Sequence, residues 1–307
     1  MALTDDLSAR ILGAVDDLTD ELIVLTQALV GCRTDSQSEG NAEFEPEAVR
    51  CQEIVASHLD RAGFAVQQWT EPPRYPVVAG VRQGTGGGRS LAINGHVDVV
   101  PVGDTSAWKL KPWGGEIADG KLWGRGAADM KGGVAAGIMA ATALQRAGVE
   151  LAGDLWVHVV TDEEVVGVST RHLIQKLPKV DAVICAEPTD LKILPAEGGL
   201  VHLRMEFEGR ESHAGNRYMG VHAGGLGARG GVNAIEKAIK VVTALQDLER
   251  QWATNRQHPL LPPGFNTRLP GVIAGGPGGG HDGQLNLISN PGTEPNYCSV
   301  EYNLWFL

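Results

Sequence analysis

Four short apolar runs constrain the fold of this chain most strongly. They occupy residues 77–81, 91–94, 155–160 and 182–186, and helical or glycine-rich segments separate them. Continuous apolar runs of this length are typical of strands buried on both faces. Because such strands alternate here with helical patterns, the sequence predicts an α/β fold with a mostly parallel sheet between helices.

Helical periodicity is clear in three places of this first region. Leucines at positions 18, 22, 25 and 29 share one helical face, and a second helix is expected over residues 47–62, before Gly63. A third, rich in alanine and glycine, is expected over residues 132–144. That run is too short to span a bilayer, so we interpret it as a buried helix.

The pattern changes after residue 197. Residues 201–207 alternate between apolar and polar, which is typical of a strand with one face in water. An amphipathic helix is expected over residues 232–252 and a last strand over residues 298–307. We therefore predict two domains, residues 1–197 as an α/β domain and residues 198–307 as a smaller α+β domain.

Composition and charge restrict the partners. The net charge of -11 argues against nucleic acid or an anionic membrane as the main partner. The N-terminal residues lack the pattern of a signal peptide. The four cysteines form no CxxC pair and no disulfide framework, which favours a reducing compartment, and we expect a cytoplasmic protein.

Acidic residues and a histidine follow the apolar runs at the points where the predicted strands end. His96 and Asp98 follow one run, Glu163 and Glu164 follow another, and Glu187 follows a third. Open α/β sheets bind ligands beyond the carboxyl ends of their strands. Asp129 adds a fourth group, at the predicted start of the 132–144 helix.

Each of these groups also has a simpler explanation. A single HxD, a Glu-Glu pair or a carboxylate at a helix start is most often a surface or capping feature. Several carboxylates converging on one crevice would, however, repel one another without a cation. A histidine together with carboxylates, and without cysteine, suits zinc or a related divalent ion, so the combination favours a metal site.

Four motifs in this order carry a resemblance to a known family. The motifs GHVDVVP, GRGAADMKGG, TDEE and AEP place their candidate ligands at steps of 33, 35 and 23 residues. The chain thereby resembles the zinc metallopeptidase and deacylase family of acetylornithine deacetylase, succinyl-diaminopimelate desuccinylase, aminoacylase and glutamate carboxypeptidase. The resemblance implies that residues 1–197 are a metal-binding catalytic domain and that residues 198–307 are a lid domain that forms a homodimer.

The resemblance also implies residue roles and a cofactor. Asp129 would bridge two Zn²⁺ ions, or Co²⁺ or Mn²⁺ in their place. His96 and Glu187 would complete one metal site and Glu164 would bind the other metal. Asp98 would orient His96, and Glu163 would be the general base for a metal-bridged water that attacks an amide carbonyl. A cis peptide bond is implied between Asp129 and Met130.

Three further histidines need an interpretation. His213, in GRESHAG, aligns with a lid histidine that helps hold the oxyanion in the partner subunit's active site, although a turn histidine is the simpler explanation. His158 lies inside an apolar run, so we expect it to be a core residue. His281, in GGGHDG, resembles a metal ligand in type but falls in a predicted loop of the lid.

The sequence departs from the family pattern in two ways. The family's second metal has one more histidine ligand after the lid, and no histidine here corresponds to it, so we expect that the C-terminal part of the catalytic domain is missing. The position of the arginine that grips the substrate carboxylate holds Trp305. Other arginines remain possible anion partners, with surface charge as the simpler explanation: Arg204, Arg210, Arg217 and Arg229.

Three functions stay open from the sequence. The first is hydrolysis of the amide bond of an N-acyl amino acid. The second is the same chemistry on a dipeptide or on the C-terminal residue of a short peptide. The third is a truncated, inactive chain whose lid still dimerises.

Overall fold

The computed structural model describes residues 4–35, 44–71, 74–165, 167–219, 221, 224, 230–279 and 290–307. His281 and Arg229 lie outside these residues. The chain forms two compact units, Met1–Leu191 and Lys192–Leu307. The predicted boundary at residues 197/198 falls a few residues after this division, and the functions assigned to the two domains remain predictions.

The first unit is built on a five-stranded sheet with the order β1-β2-β6-β3-β7. β3 pairs in parallel with β6 and β7, whereas β1 pairs antiparallel with β2 and β2 antiparallel with β6. A short antiparallel hairpin, β4 and β5, forms a separate two-stranded sheet. The strands are β1 (Ala65–Glu71), β2 (Tyr75–Arg82), β3 (Leu91–His96), β4 (Glu116–Ala118), β5 (Lys121–Trp123), β6 (Leu155–Val160) and β7 (Ala182–Cys185).

Helices cover both faces of the central strands of this sheet. The first four helices and one face of β2 and β6 form the larger apolar core, and α5 packs against the opposite face with Leu173 and Leu177. β7 is less covered, because Val183 and Ile184 are each 53% exposed. The helices of this unit are α1 (Asp5–Asp17), α2 (Thr19–Val30), α3 (Phe44–Arg61), α4 (Gly132–Arg146) and α5 (Val168–Lys176).

The second unit contains a three-stranded antiparallel sheet with the order β8-β10-β9 and one long helix. These elements are β8 (Gly199–Glu208), α6 (Ala234–Asn255), β9 (Thr267–Gly276) and β10 (Tyr297–Phe306). The Asn233 side chain caps α6 by accepting a hydrogen bond from the Glu236 N–H at 3.1 Å. Ala234 and Ala238 of α6 are buried against Val300 and Tyr302 of β10. This unit is therefore a small α+β domain in which one helix packs on the sheet.

The structure confirms the α/β class with a smaller second sheet. All four apolar runs are strands, and the expected helices over 47–62, 132–144 and 232–252 correspond to α3, α4 and α6. Among the strands of the described residues, β3, β6 and β7 pair in parallel, and the candidate ligands follow these strands. None of the described helices combines the length and the apolar character needed to cross a bilayer.

Candidate metal centre

The parallel strands bring three candidate ligand segments to one edge of the sheet. β3 ends at His96, β6 ends just before Thr161 and the 162–165 turn, and β7 ends just before Ala186 and Glu187. His96 is in register with Val160 of β6, and Asn94 is in register with Cys185 of β7. Because neighbouring parallel strands end together, the residues that follow them meet at this edge.

The turn before α4 brings the fourth ligand segment to the same place. Asp129 lies in this turn, and the peptide bond between Asp129 and Met130 is cis, as the resemblance implies. Gly133 lets the start of α4 approach the end of β7 closely, because a Cβ there would be only 2.0 Å from the Ala186 carbonyl oxygen. This contact keeps the Asp129 turn beside the segment that carries Glu187.

The side chains that meet here have the composition of a metal site. The Nε2 atom of His96 lies 3.3 Å from Asp129 Oδ1, 3.7 Å from Glu163 Oε2 and 3.7 Å from Glu187 Oε1. Two groups of possible ligands share this histidine, His96–Glu163–Glu187 and His96–Asp129–Glu164, and within each group the ligand atoms lie within 4.8 Å of one another. All four predicted ligands and Glu163 are therefore gathered at one point.

The orientation of His96 follows from its other ring nitrogen. Nδ1 lies 2.9 Å from the main-chain oxygen of Asp98 and 3.5 Å from its carboxylate Oδ1. With Nδ1–H donated to that carbonyl, Nε2 is the ring nitrogen that would present a lone pair to a metal after losing its own proton, which is the arrangement found for metal-bound histidines. Nε2 is buried and has no hydrogen-bond partner of good geometry in the described part of the chain. This orphaned atom faces carboxylates, and the donor set fits a zinc-like divalent ion.

Asp98 has a second contact that the sequence did not predict. Its Oδ1 and Oδ2 accept the backbone N–H groups of Glu163 and Glu164 at 3.2 and 3.1 Å, and the residue is fully buried. One carboxylate thus contacts His96 and also holds the turn that presents two other site residues. The HxD spacing indicated a contact with His96, but the link to residues 163 and 164 depends on the β3–β6 pairing.

The pKa values show how strongly these charges interact in the metal-free protein. Burial alone would lower the pKa of His96, but its contacts with the Asp129 and Asp98 carboxylates outweigh burial and raise the pKa to about 11. Burial and the neighbouring carboxylates raise the pKa of Glu187 to about 7. Burial and Asp129 also raise the pKa of Glu164, whereas the adjacent His96 ring lowers the pKa of Asp129. A bound cation would therefore stabilise the excess negative charge at this site.

Asp162 and Lys131 are buried polar residues beside the site. Asp162, at φ 104°, uses its carboxylate to accept the N–H groups of Val168 and Ser169 at 2.7 and 3.0 Å, so it caps α5 instead of joining the ligand cluster. The Lys131 Nζ donates to the Cys32 carbonyl oxygen at 2.7 Å. A lysine two residues after a candidate ligand gave no sequence signal for this burial, because lysine is normally exposed.

Of the remaining predicted residues, His158 is buried in β6, as expected for a core histidine. In the second unit, His213 is exposed, and its Nδ1 accepts the Gly215 N–H at 3.1 Å at the start of a 3-10 turn. The ring of Trp305 packs edge-on against Phe265, with 5.7 Å between the ring centroids.

Three of the four arginines named as possible anion partners lie among the described residues, and each already has a partner within the chain. Arg204 pairs with Glu206 and Glu301, and Arg217 pairs with Glu236. Arg210 donates to the Gly230 carbonyl oxygen. The simpler explanation of surface charge therefore fits Arg204 and Arg217.

A histidine and four carboxylates gathered at the carboxyl edge of an α/β sheet define a metallohydrolase-type site. Comparison with known proteins identifies the family to which this site belongs. The chain belongs to peptidase family M20/M25/M40, whose family description matches residues 92–287. It is thus a member of a family of metal-dependent peptidases and amidohydrolases, in agreement with the resemblance drawn from the four motifs.

Among curated proteins, the chain is 36% identical over 265 residues to the N-formyl-4-amino-5-aminomethyl-2-methylpyrimidine deformylase of Bacillus subtilis, covering 85% of this chain and 60% of that protein. It is 35% identical over 208 residues to the succinyl-diaminopimelate desuccinylase of Methylorubrum extorquens, covering 62% of this chain and 51% of that protein. The chain thus spans about 60% of the length of the first curated relatives that it matches.

Solved structures share the fold. Human carnosine dipeptidase 1 superimposes with a TM-score of 0.64 at 17% identity, covering 97% of this chain and 72% of that one. The dipeptidase Dug1p of Saccharomyces cerevisiae gives the same TM-score at 14% identity and the same coverage. At these identities the similarity establishes the fold alone.

Proposed function

We propose that this chain carries the catalytic centre of a metal-dependent amidohydrolase that removes an acyl group from the nitrogen of a small N-acyl compound, of the N-acyl amino acid type. The observation that carries the proposal is the buried Nε2 of His96, which has no good hydrogen-bond partner and faces the carboxylates of Asp129, Glu163 and Glu187. Such an atom is poised to bind a cation.

Relatives in the family favour acyl removal over peptide cleavage. The curated deformylase and desuccinylase are named for the removal of a formyl or a succinyl group, and they match this chain at 34–43% identity. The dipeptidases match it at 14–17% identity and support only the fold. An N-acyl substrate is therefore the better choice, and a dipeptide is the alternative.

Each residue of the candidate metal centre has a distinct proposed role in amide hydrolysis. His96, Asp129, Glu164 and Glu187 would hold the metal, for which we propose two Zn²⁺ ions, with Co²⁺ or Mn²⁺ as alternatives. When bound, the metal supplies Lewis-acid polarisation of the carbonyl and a water of lowered pKa. Glu163 takes a proton from the attacking water and returns it to the leaving nitrogen, and Asp98 keeps the backbone of Glu163 in place.

The second unit contributes to the same proposal. We assign residues 198–307 as a lid that dimerises and residues 1–197 as the catalytic domain. His213 is assigned to the oxyanion, acting in the partner subunit's site, where a charged or hydrogen-bonding group would stabilise the tetrahedral species. The exposed ring of His213 is compatible with such a contact. We place the protein in the cytoplasm.

Hydrolysis assays with a panel of amides test the proposal. The 307-residue chain is loaded with Zn²⁺, Co²⁺ or Mn²⁺ and supplied with the N-formyl aminomethylpyrimidine, succinyl-diaminopimelate, acetylornithine and a dipeptide. We expect metal-dependent release of the acyl group from at least one N-acyl compound and slower cleavage of the dipeptide. Cleavage of only the dipeptide would select the peptidase function instead.

A matched pair of variants separates chemistry from folding. Glu163→Gln removes the proposed base and should lower kcat by about 10²–10⁴-fold while metal binding persists. Glu116→Gln, in the exposed hairpin, is the control and should leave kcat unchanged. Equal activity of Glu163→Gln and the unmodified chain would contradict the role of Glu163. An absence of metal-dependent hydrolysis with every substrate would contradict the proposed function.

A further inference from the structure

Two arginines share one tryptophan in the second unit. The guanidinium carbon of Arg256 lies 4.0 Å from the centroid of the Trp252 ring, and that of Arg268 lies 3.7 Å from it. Trp252 is in the last turns of α6, Arg256 follows the helix, and Arg268 is on β9. The indole stabilises each cation through its π electrons, but it accepts none of their in-plane N–H hydrogen bonds.

The Arg268 guanidinium has a buried N–H group without a hydrogen-bond acceptor among the described residues. The residue is only 8% exposed, and its buried Nη1 has no hydrogen-bond acceptor within the described part of the chain. Glu249 is close, but its Oε1 accepts the backbone N–H of Arg268 at 2.7 Å. Burial lowers the pKa of Arg268, Glu249 opposes this effect and Arg256 adds to it, so the two guanidinium groups do sense each other.

Neither guanidinium takes part in any of the ion pairs found among the described residues. Two positive charges therefore meet at Trp252 with one nearby carboxylate, which is already engaged by a backbone N–H. A buried donor without an acceptor is costly, and two like charges in contact with one ring repel each other. An anion beside Arg256 would offset the repulsion between the two charges.

A cavity of about 600 Å³ opens at this place. Trp252 and Arg256 line it, together with Asn255, Gln257 and Asn266, and Phe306 and Leu307 complete the lining. Asn266 is fixed, because its Nδ2 donates to the Arg256 carbonyl oxygen at 3.2 Å and its Oδ1 accepts the Leu307 N–H at 3.3 Å. The cavity thus combines an arginine, a tryptophan and three residues with amide side chains, and it has room for a small molecule.

We propose that this cavity binds the oxyanion of a small ligand, a phosphate or a carboxylate, through the guanidinium of Arg256, with Arg268 supplying a second positive charge from its contact with Trp252. Guanidinium groups match both oxyanions through paired N–H donors. The site belongs to the second unit and uses none of the metal-centre residues, so it does not rest on the proposed hydrolase function.

Titration calorimetry on the 307-residue chain tests the proposal, with inorganic phosphate and acetate as separate probes at constant ionic strength. Arg256→Gln removes the exposed guanidinium, and Arg250→Gln is the matched control, because Arg250 is also exposed, lies on α6 and pairs with Asp247. Phosphate also binds metal centres, so all proteins are compared at the same metal content. Arg256→Lys serves as a second variant that keeps the charge but not the paired donors.

We expect saturable binding of at least one probe in the millimolar range, weakened about tenfold or more by Arg256→Gln and unchanged by Arg250→Gln. Arg256→Lys should retain part of the affinity. Saturation by phosphate alone assigns a phosphate ligand, and saturation by acetate alone assigns a carboxylate. The proposal is overturned if neither probe saturates, or if Arg250→Gln lowers the affinity as much as Arg256→Gln does.

Discussion

Replacing Asp98 by asparagine should damage both the stability of the first unit and its affinity for metal. The buried carboxylate accepts the N–H groups of Glu163 and Glu164 through separate oxygens, and its Oδ1 also lies 3.5 Å from His96 Nδ1. An asparagine amide has a single acceptor oxygen. Its NH₂ group would therefore face an N–H donor in a site without water access.

The magnitude follows from these contacts. Losing one hydrogen bond to a charged acceptor costs about 1.5–3 kcal/mol, and the stranded N–H adds a penalty of similar size. We expect Asp98→Asn to lower the free energy of unfolding by about 3–6 kcal/mol. Because the same turn carries Glu163 and Glu164, we also expect metal affinity to fall by about 10–100-fold.

Urea unfolding of the metal-free protein measures the first effect, and competition with a chromophoric zinc chelator measures the second. Asp104→Asn is the matched control, because Asp104 also accepts a backbone N–H, from Ser106 at 2.9 Å, but is exposed and loses little when asparagine replaces it. If Asp98→Asn unfolds like the unmodified chain and binds zinc within about threefold of its affinity, Asp98 does not hold the turn and the reasoning fails.

Three further measurements address other parts of the first unit. Burial lowers the pKa of His158 to about 4 from 6.5, so the unfolded chain binds the extra proton more tightly and stability falls as the pH drops through this window. At pH 5 the free energy of unfolding, measured with urea, should be about 2 kcal/mol lower than at neutral pH, and His158→Leu should abolish this part of the pH dependence. If the stability of His158→Leu and of the unmodified chain fell equally with pH, His158 would not be the cause. Gly133→Ala should cost about 1–3 kcal/mol, because its Cβ would meet the Ala186 carbonyl at 2.0 Å; unchanged urea unfolding would show that the helix start can shift freely. Since the metal-free protein holds protons on His96, with a pKa of about 11, and partly on Glu187, with a pKa of about 7, zinc binding near pH 7 should release roughly one to two protons and tighten as the pH rises. An indicator dye in weak buffer measures this release, and binding without it would contradict these pKa values.

Local sequence patterns were sufficient for the elements that carry the site. The apolar runs ending at residues 94, 160 and 186 predicted β3, β6 and β7, and the residues that follow them include His96, Glu163 and Glu187. A strand buried on both faces leaves a clear record in sequence, because every position must be apolar. The gathering of the candidate ligands followed from one general rule about the carboxyl ends of parallel strands.

Elements with weaker local signals were not predicted. No local pattern in the sequence indicated α1, β1, the β4–β5 hairpin, α5 or β9. Their side chains are partly exposed, and the hairpin strands have only three residues each, so periodicity could not identify them. The antiparallel addition of β1 and β2 to the sheet likewise depends on pairing between distant residues, which no local pattern specifies.

The sequence by itself determined the chemistry of this protein, namely which residues with metal-ligand side chains follow which strands, because residue type and strand ends are local properties. Only the tertiary structure decided how those residues are held. It placed the Asp98 carboxylate beneath the backbone of Glu163 and Glu164 and turned Nδ1 of His96 to a main-chain oxygen. It also brought Arg256 and Arg268 to one indole ring. Each of these contacts joins segments that are paired or packed by the fold, and their geometry exists only after the sheets and helices have assembled.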